Sequence, residues 1–351
     1  MQGLIHFFQG LGITSTFWAG ALSVILYVVL VFTFIAIFVL VAVYLERKVS
    51  GHMQDRLGPM RVGFHGVLQT LADTLKLLVK EDIIPANADR LLFILAPFVL
   101  FLGTFMVYVV LPFGPGAVGA DLNIGLFYVI AVSSLVVIGI IMAGYSSNNK
   151  WSLYGGMRAA AQIVSYEIPV GLSLLVGVMM TSTLNITQMI EMQSAGIGGL
   201  GGILGWNFIQ NPFAFIAFFI YLVAGTAEAN RTPFDLPEAE SELVAGAFTE
   251  YSGLRWAFFF LAEYANMWIV AVIAAVVFLG GWHSPFPGET FIPGFVWLFL
   301  KAFGVIFLQM WSRWTFPRLR VDQLMVTCWK YLTPIAFFNI LGVGLWMVFI
   351  G

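Results

Sequence analysis

The feature that most constrains the fold is a series of long apolar runs without charged residues. Eight segments are long or apolar enough to cross a bilayer: roughly 18–45, 91–112, 125–145, 160–181, 211–227, 256–281, 294–313 and 331–350. A helix of about 20 apolar residues spans the hydrocarbon core, where every backbone group needs an internal partner. With 60% hydrophobic residues, the chain is predicted to be an all-α polytopic membrane protein with about eight transmembrane helices.

The Lys and Arg residues predict the orientation of these helices. Fifteen of the 16 fall on one side: Arg47, Lys48, Arg56, Arg61, Lys76, Lys80, Arg90, Lys150, Arg158, Arg231, Arg255, Arg313, Arg318, Arg320 and Lys330. The opposite loops and both chain ends contain none. This bias places the basic side in the cytoplasm or matrix and both termini outside. The remaining base, Lys301, falls inside the seventh predicted span.

The cysteine and histidine content limits the chemistry. A single cysteine, Cys328, excludes a disulfide framework, a Cys-ligated iron–sulfur cluster and a thiolate zinc site within this chain. His52 and His65 are too far apart in sequence for an obvious metal pair. We therefore expect no metal site and no covalently bound cofactor, and any electron carrier should belong to another subunit. We also expect no nucleic-acid partner.

A polar stretch after the first span has helical periodicity. Its apolar residues recur at helical spacing: Phe64, Val67, Leu68, Leu71, Leu75 and Leu78. The pattern predicts an amphipathic helix that anchors at the membrane interface or covers a groove. Asp73 favours the groove, because an acid is a poor choice against anionic headgroups. We expect a single integral membrane domain, 1–351, with a basic inner loop at 46–90 and an acidic inner loop at 228–255.

The acidic inner loop gathers carboxylates in a chain where charge is scarce. The stretch EANRTPFDLPEAESELVAGAFTE, residues 228–250, holds six of the 18 acids: Glu228, Asp235, Glu238, Glu240, Glu242 and Glu250. Asp235, followed by Pro237 and Glu238, predicts a helix N-cap with a capping box. A helix start explains Asp235 and Glu238 and leaves the other four acids unexplained.

Two further acids lie within predicted spans. Glu167 and Glu263 each fall about two helical turns from the inner end of a span, and Glu228 closes the inner end of another. A charge at such a depth costs about 2.5–3.5 kcal/mol, so these side chains should face the bundle interior or a wet cavity. Carboxylates that share a poorly solvated space titrate as a unit and can pass protons. Lys301 is a candidate counter-charge or relay step.

The loop motifs resemble those of one family. The matching stretches are YLERKVSGHMQDRLGPMRVGFHGVLQTLADTLKLLVKED (Tyr44 to Asp82), RAAAQIVSYEIP (Arg158 to Pro169), AGTAEANRTPFDLPEAESELVAGAFTEYSG (Ala224 to Gly253), FFLAEYANM (Phe259 to Met267) and RLRVDQLM (Arg318 to Met325). In this order they resemble the membrane subunit of bacterial NADH:quinone oxidoreductase that is the counterpart of mitochondrial NADH dehydrogenase subunit 1 in respiratory complex I. The resemblance covers nearly the whole chain.

The resemblance implies a function and a set of site residues. In that family the protein carries no redox centre, forms much of the quinone-access tunnel in the cell inner membrane, and meets a hydrophilic arm that holds FMN and iron–sulfur clusters. The positions that match the tunnel and its mouth are Glu46, Arg47, Arg56, Arg61 and Asp73. The positions that match a carboxylate chain from quinone to the proton path are Glu167, Glu228, Glu238, Glu240, Glu242 and Glu263.

Three other functions stay open at this point. A membrane subunit of an energy-converting hydrogenase would use no quinone, and the basic, Gly- and Pro-containing loop after span 1 argues against it. A free-standing ion transporter would be expected to contain internal repeats, and we find none. A purely structural anchor would leave Glu167 and Glu263 unexplained.

Overall fold

The described part of the protein is helical. The structure, a computed structural model, covers residues 3–5, 16–194, 202–236, 245–288 and 291–349, and these ranges contain no β-strand. The helices are α1 (Thr16–Met53), α2 (Gln69–Val79), α3 (Arg90–Val107), α4 (Gly125–Ser133), α5 (Leu135–Ser146), α6 (Lys150–Thr181), α7 (Ile186–Met192), α8 (Asn207–Gln210), α9 (Pro212–Glu228), α10 (Gly253–Phe278), α11 (Gly294–Thr315), α12 (Val321–Val326) and α13 (Thr333–Phe349).

The prediction of an all-α polytopic membrane protein is confirmed. Seven stretches are long and apolar enough to span a membrane, counting α4 with α5 and α12 with α13 as one stretch each. The fifth predicted span is the shorter apolar helix α9, of 17 residues. A π-helical turn at Thr327–Leu332 joins α12 to α13. We call the basic side of these spans inner and the other side outer.

Two helices extend beyond the spans expected from the sequence. Helix α1 continues to Met53, where we expected span 1 to end near residue 45, and α6 begins at Lys150 instead of near 160. The apolar runs mark only the parts that suit lipid. The charged turn at Glu46 to Lys48 stays helical because Glu46 and Arg47 have partners on neighbouring elements.

Polar side chains fix where several helices begin. Asp89 accepts hydrogen bonds from the backbone of Leu91 and Leu92 at the start of α3. Asn149 and Asn211 each accept one backbone N–H at the starts of α6 and α9. These caps satisfy amides that a helix leaves without an internal partner.

Helix α10 forms the centre of the bundle. In its apolar 18-residue stretch, 83% of the residues are buried. The helix packs against α1, α3, α9 and α11. Trp268 is 1% exposed, and aromatic rings of α1 and α11 surround it, with centroids 4.9 Å away for Phe38 and 5.0 Å away for Phe299. A helix packed from several sides keeps its polar residues at fixed positions in the core.

The amphipathic helix predicted after the first span is present as α2, preceded by a 3-10 turn at Phe64–Gly66. Its polar face meets α1, where the Arg47 guanidinium donates to the Asp73 carboxylate. The described residues leave its apolar side chains uncovered, since Leu71, Leu75 and Leu78 are 44–55% exposed. The face is therefore free for lipid, a partner subunit or an apolar ligand.

The chain that leaves the acidic inner loop is pinned to α6. The Ser152 hydroxyl donates to the backbone of Ala247 at 3.0 Å, and the Asn149 amide donates to Glu250 at 2.6 Å. Gly155 lies against the backbone of Gly246 and Ala247 so closely that a Cβ would stand 2.5 Å from the Ala247 nitrogen. This close approach holds the start of α10 beside α6.

Candidate functional site

A buried ion cluster lies at the inner ends of α1, α10 and α11. The Glu46 carboxylate accepts from the guanidinium of Arg231 at 2.9 Å and from that of Arg313 at 2.7 Å. The Tyr264 hydroxyl donates to the same carboxylate at 2.7 Å. Glu46 itself is 5% exposed, so these donors replace the water that it loses on burial.

Arg231 is the most deeply buried charge in this cluster. Its side chain is 2% exposed, and its Nε stands 3.0 Å from Oε1 of Glu263. The guanidinium carbon also lies 4.0 Å from the centre of the Tyr264 ring, within cation–π range. Since a buried cation is costly without partners, two carboxylates and an aromatic face account for its place there.

A cavity of about 140 Å³ opens on this cluster. It is lined by Val43, Glu46, Arg47, Phe260, Glu263, Tyr264, Arg313 and Trp314. Predicted tunnel residues Glu46 and Arg47 therefore share one cavity with Glu263, which the sequence assigned to the carboxylate chain. The two predicted sets of residues meet here.

Two smaller cavities continue from Glu263 into the bundle. One, of about 30 Å³, is lined by Glu263, Asn266 and Glu228 together with apolar side chains. The next, of about 20 Å³, is lined by Glu228, Asn266 and Glu167. Each has room for about one water molecule. The carboxylates Glu263, Glu228 and Glu167 thus line two small, largely apolar cavities in pairs, and Asn266 lines both.

Glu167 closes this series on α6. One of its carboxylate oxygens is buried and has no hydrogen-bond partner among the described residues. The adjacent Ser165 and Tyr166 bind the α12 and π-helical segment, since Tyr166 donates to the Leu324 carbonyl at 3.1 Å and the Cys328 thiol donates to the Ser165 carbonyl at 3.0 Å. These contacts fix α6 at the depth of Glu167.

Asp235 forms a second ion pair beside the cluster. Its Oδ2 accepts from Arg318 at 3.0 Å. Burial raises the pKa of the Asp235 carboxyl above its ordinary value, while the charges of Arg318 and Arg313 act in the opposite direction. The expected capping box reaches Pro237 and Glu238, which lie outside the described residues. Within them, the role of Asp235 is to pair with Arg318.

The remaining predicted tunnel residues lie apart from the cluster. Partial burial acts to raise the pKa of Asp73, but hydrogen bonds from Arg47 and Gln69 lower it below the ordinary value. Arg56 and Arg61 are exposed, and Arg56 donates to Gln54 at 2.7 Å. Arg47 thus lines the cavity of the cluster, and Asp73 is connected to it through Arg47. Arg56 and Arg61 lie exposed at the surface.

The other predicted site residues have different outcomes. Glu238, Glu240 and Glu242 lie outside the described residues. Lys301 forms no ion pair with a carboxylate of the described residues; its ammonium donates to the carbonyls of Leu279, Gly281 and His283 on the outer side. Among the described residues, no group of three or more His, Cys, Asp or Glu side chains could hold a metal ion.

Sequence reasoning missed four members of this site: Arg231, Arg313, Tyr264 and Asn266. The two arginines counted only as basic inner residues, because nothing in their local sequence shows that Glu46 lies beside them. Tyr264 and Asn266 belong to the motif LAEYANM around Glu263. Helical spacing gives a partial signal for Asn266, which lies three residues after Glu263 and hence near the same face.

Comparisons with known proteins give one consistent result. A family model described as NADH dehydrogenase matches residues 26–344. The chain is 54% identical over 328 residues to an NADH-quinone oxidoreductase subunit of Chlorobium luteolum, covering 90% of this chain and 87% of the relative. It is 53% identical over 326 residues to the subunit of the same name from Chlorobaculum tepidum, covering 90% of each. It is 47% identical over 333 residues to that of Bacteroides thetaiotaomicron, covering 92% and 90%.

Proposed function

Because this chain belongs to the NADH dehydrogenase family, we propose that it works as a membrane subunit of an NADH-quinone oxidoreductase, as its relatives are named. It would act with other subunits of that complex and use a quinone as the electron acceptor. FMN and iron–sulfur clusters would be held by those other subunits. The protein would lie in the inner membrane of a bacterial cell, with its basic inner loops toward the hydrophilic arm.

The proposed role of the cluster is to couple quinone reduction to proton movement. The observation that carries this proposal is the run of three cavities that connects Glu46 and Arg47 to Glu263, then Glu228, then Glu167. A charge that appears on a quinone near Arg47 would act first on Glu46 and Arg231. Since Arg231 also contacts Glu263, the change would reach the first carboxylate of the chain.

The energies are of a suitable size. Moving a proton against 100 mV costs about 2.3 kcal/mol. A change of two pKa units in one carboxylate corresponds to about 2.7 kcal/mol. Modest changes at a few coupled acids would therefore drive a proton step, and Glu238, Glu240 and Glu242 would extend the chain.

The inner end of α1 and helix α2 would form one side of the quinone path. The exposed apolar side chains of α2, including Leu71 and Leu75, suit an isoprenoid tail. Arg47 and Asp73 form a polar pair behind this face, and Arg56 and Arg61 would meet the mouth or a partner subunit. The single domain, 1–351, would then present the 46–90 and 228–255 segments to the hydrophilic arm.

The test replaces Glu263 with Gln in the intact complex. After assembly is confirmed on a native gel, NADH:quinone turnover with a short-tailed quinone and proton uptake in vesicles are measured. Glu191→Gln is the matched control, because Glu191 is exposed on the outer side away from the cavities. We expect the assembled Glu263→Gln complex to lose both activities and the control to keep them. Wild-type activity in Glu263→Gln would overturn the proposal.

A further inference from the structure

The outer end of the central helix α10 is held by side chains from other parts of the chain. The Gln193 amide donates to the carbonyl of Val276 at 2.7 Å, and the Asn207 amide donates to that of Val277 at 2.8 Å. Gln193 is 2% exposed and Asn207 is 3% exposed. A helix leaves its last carbonyls without internal partners, and here foreign amides satisfy them.

Lys301 completes this arrangement beyond the end of the helix. Its Nζ donates to the carbonyls of Leu279 at 2.7 Å, Gly281 at 2.9 Å and His283 at 2.7 Å. The ammonium also lies 4.2 Å from the centre of the Trp206 ring. Gly280 and Gly281 have positive φ angles of 70° and 51°, which turn the chain so that the three carbonyls face one point.

The geometry satisfies every N–H donor of a protonated Lys301. An ammonium has three N–H donors, and each has a carbonyl acceptor at a good distance. A positive charge at a helix C-terminus is also stabilised by the helix dipole. Among the described residues, no carboxylate forms an ion pair with Lys301, so no acid stands ready to take its proton.

The same helix carries Glu263 in its inner half. Glu263 and Val277 are 14 residues apart in α10, or about 21 Å along a helix axis. A packed helix transmits an axial shift along its length. The outer anchor therefore sets where Glu263 stands relative to Arg231 and to the cavity that it shares with Glu228.

We propose that Lys301 is a positioning residue, a fixed cationic cap that holds α10 in register and thereby places Glu263 between its two cavities. It does not pass protons. The inference rests on the proposed function, because the position of Glu263 affects coupling only if that carboxylate belongs to the proton path. The local effect of the cap on α10 can be measured without that premise.

The test compares Lys301→Met with Lys301→Arg in the intact complex. Arginine keeps the charge and several N–H donors but does not release a proton, whereas methionine keeps the length without either. The readouts are assembly, proton uptake per NADH oxidised, and amide hydrogen exchange over residues 270–283. Lys330→Met is the matched control, because Lys330 is an exposed lysine of the next span.

We expect Lys301→Met to accelerate exchange at the end of α10 by about tenfold or more, since it removes several charge-assisted hydrogen bonds. It should also lower proton uptake per NADH, while Lys301→Arg and Lys330→Met stay near wild type. Failure of Lys301→Met to assemble, with normal assembly of Lys301→Arg, would equally support the cap. If Lys301→Arg keeps slow exchange but loses proton uptake as fully as Lys301→Met, Lys301 is a relay and the proposal is wrong. Unchanged behaviour of Lys301→Met would also overturn it.

A second variant reaches the anchor without touching Lys301. Asn207→Leu removes the donor to Val277, so it should raise exchange at the end of α10 and lower the uptake ratio in the same direction. An unchanged ratio together with faster exchange would disconnect the anchor from coupling. The two proposals fail separately: a fully active Glu263→Gln complex would end the relay, while the exchange measurements would still decide the cap.

Discussion

Tyr264 donates its hydroxyl to the Glu46 carboxylate at 2.7 Å and so ties the central helix α10 to the inner end of α1. The neighbouring residue of α10 is Glu263, whose carboxylate contacts Arg231. Arg231 in turn binds Glu46 at 2.9 Å. A closed ring of contacts therefore joins the two acids through one arginine and one tyrosine. Two routes of contact therefore connect Glu46 to Glu263.

Removing only the Tyr264 hydroxyl tests one of these routes. A hydrogen bond to a charged group contributes about 1.5–3 kcal/mol, while Phe in place of Tyr keeps the ring under Arg231. We expect Tyr264→Phe to assemble, to inactivate at a lower temperature and to turn over more slowly. Tyr44→Phe, which loses a hydrogen bond to the His65 carbonyl at an exposed site, is the control. Equal behaviour of the two variants would refute the coupling assigned to Tyr264.

Arg231 should be needed for stability as well as for function. Replacing it with Met leaves Glu263 without its guanidinium and Glu46 with Arg313 and Tyr264 as donors. Breaking a buried pair costs about 3–5 kcal/mol. Arg255→Met removes a more exposed pair with Asp82 at 3.1 Å and should cost within about 1 kcal/mol. The amount of assembled complex on a native gel and its thermal midpoint are compared. A smaller effect at Arg231 than at Arg255 would contradict the burial argument.

Asn266 should control passage between the two small cavities, since it lines both. Asn266→Leu replaces an amide by a larger apolar group at the junction, which should exclude water. We expect the assembled variant to retain little proton uptake and quinone turnover. Asn266→Ser keeps a polar group and leaves more room, so it should stay close to wild type. If the Leu variant works as well as the Ser variant, protons do not pass this point.

Two glycines of helix α6 give a matched pair. Gly155→Ala forces a Cβ against the backbone of Gly246 and Ala247, and such overpacking costs about 1–3 kcal/mol. Gly171 has open space around its Cα, so Gly171→Ala should be neutral or should stabilise by up to about 1 kcal/mol. Thermal midpoints of the two assembled variants are measured. If the thermal midpoints of both variants shift alike, the close approach at Gly155 does not affect stability.

His283 gives the outer side a predictable response to pH. Burial, aided by the charge of Lys301, lowers the pKa of His283 below its ordinary 6.5. The unfolded chain therefore binds this proton more readily, so the contribution of His283 to stability is complete above pH about 6.5 and falls as the pH drops below it. The loss in thermal midpoint between about pH 7.5 and about pH 5.5 should be smaller in His283→Gln than in wild type. If the two proteins lose the same amount of thermal midpoint, His283 does not cause the loss.

The spans could be predicted from the sequence, although the full lengths of α1 and α6 could not. Apolar runs located the helices, and the cost of buried charge singled out Glu167 and Glu263. The sequence could not show that Glu46 contacts Arg231, because the partners are 185 residues apart and the contact depends on how the segment after α9 lies against α1. Lys301 illustrates the same limit: its depth in a span suggested contact with acids, while its partners are carbonyls of a turn that no residue pattern announces.

The ring around Glu46 also bears on how the protein is made. Glu46 leaves the ribosome early, whereas its partners Arg231, Tyr264 and Arg313 follow much later, Arg313 near the end of α11. A nascent chain that stops before α11 carries this carboxylate without its complete set of donors. Completion of this set of donors is thus a late event in biogenesis. It marks the point at which α1 is finally locked to α11.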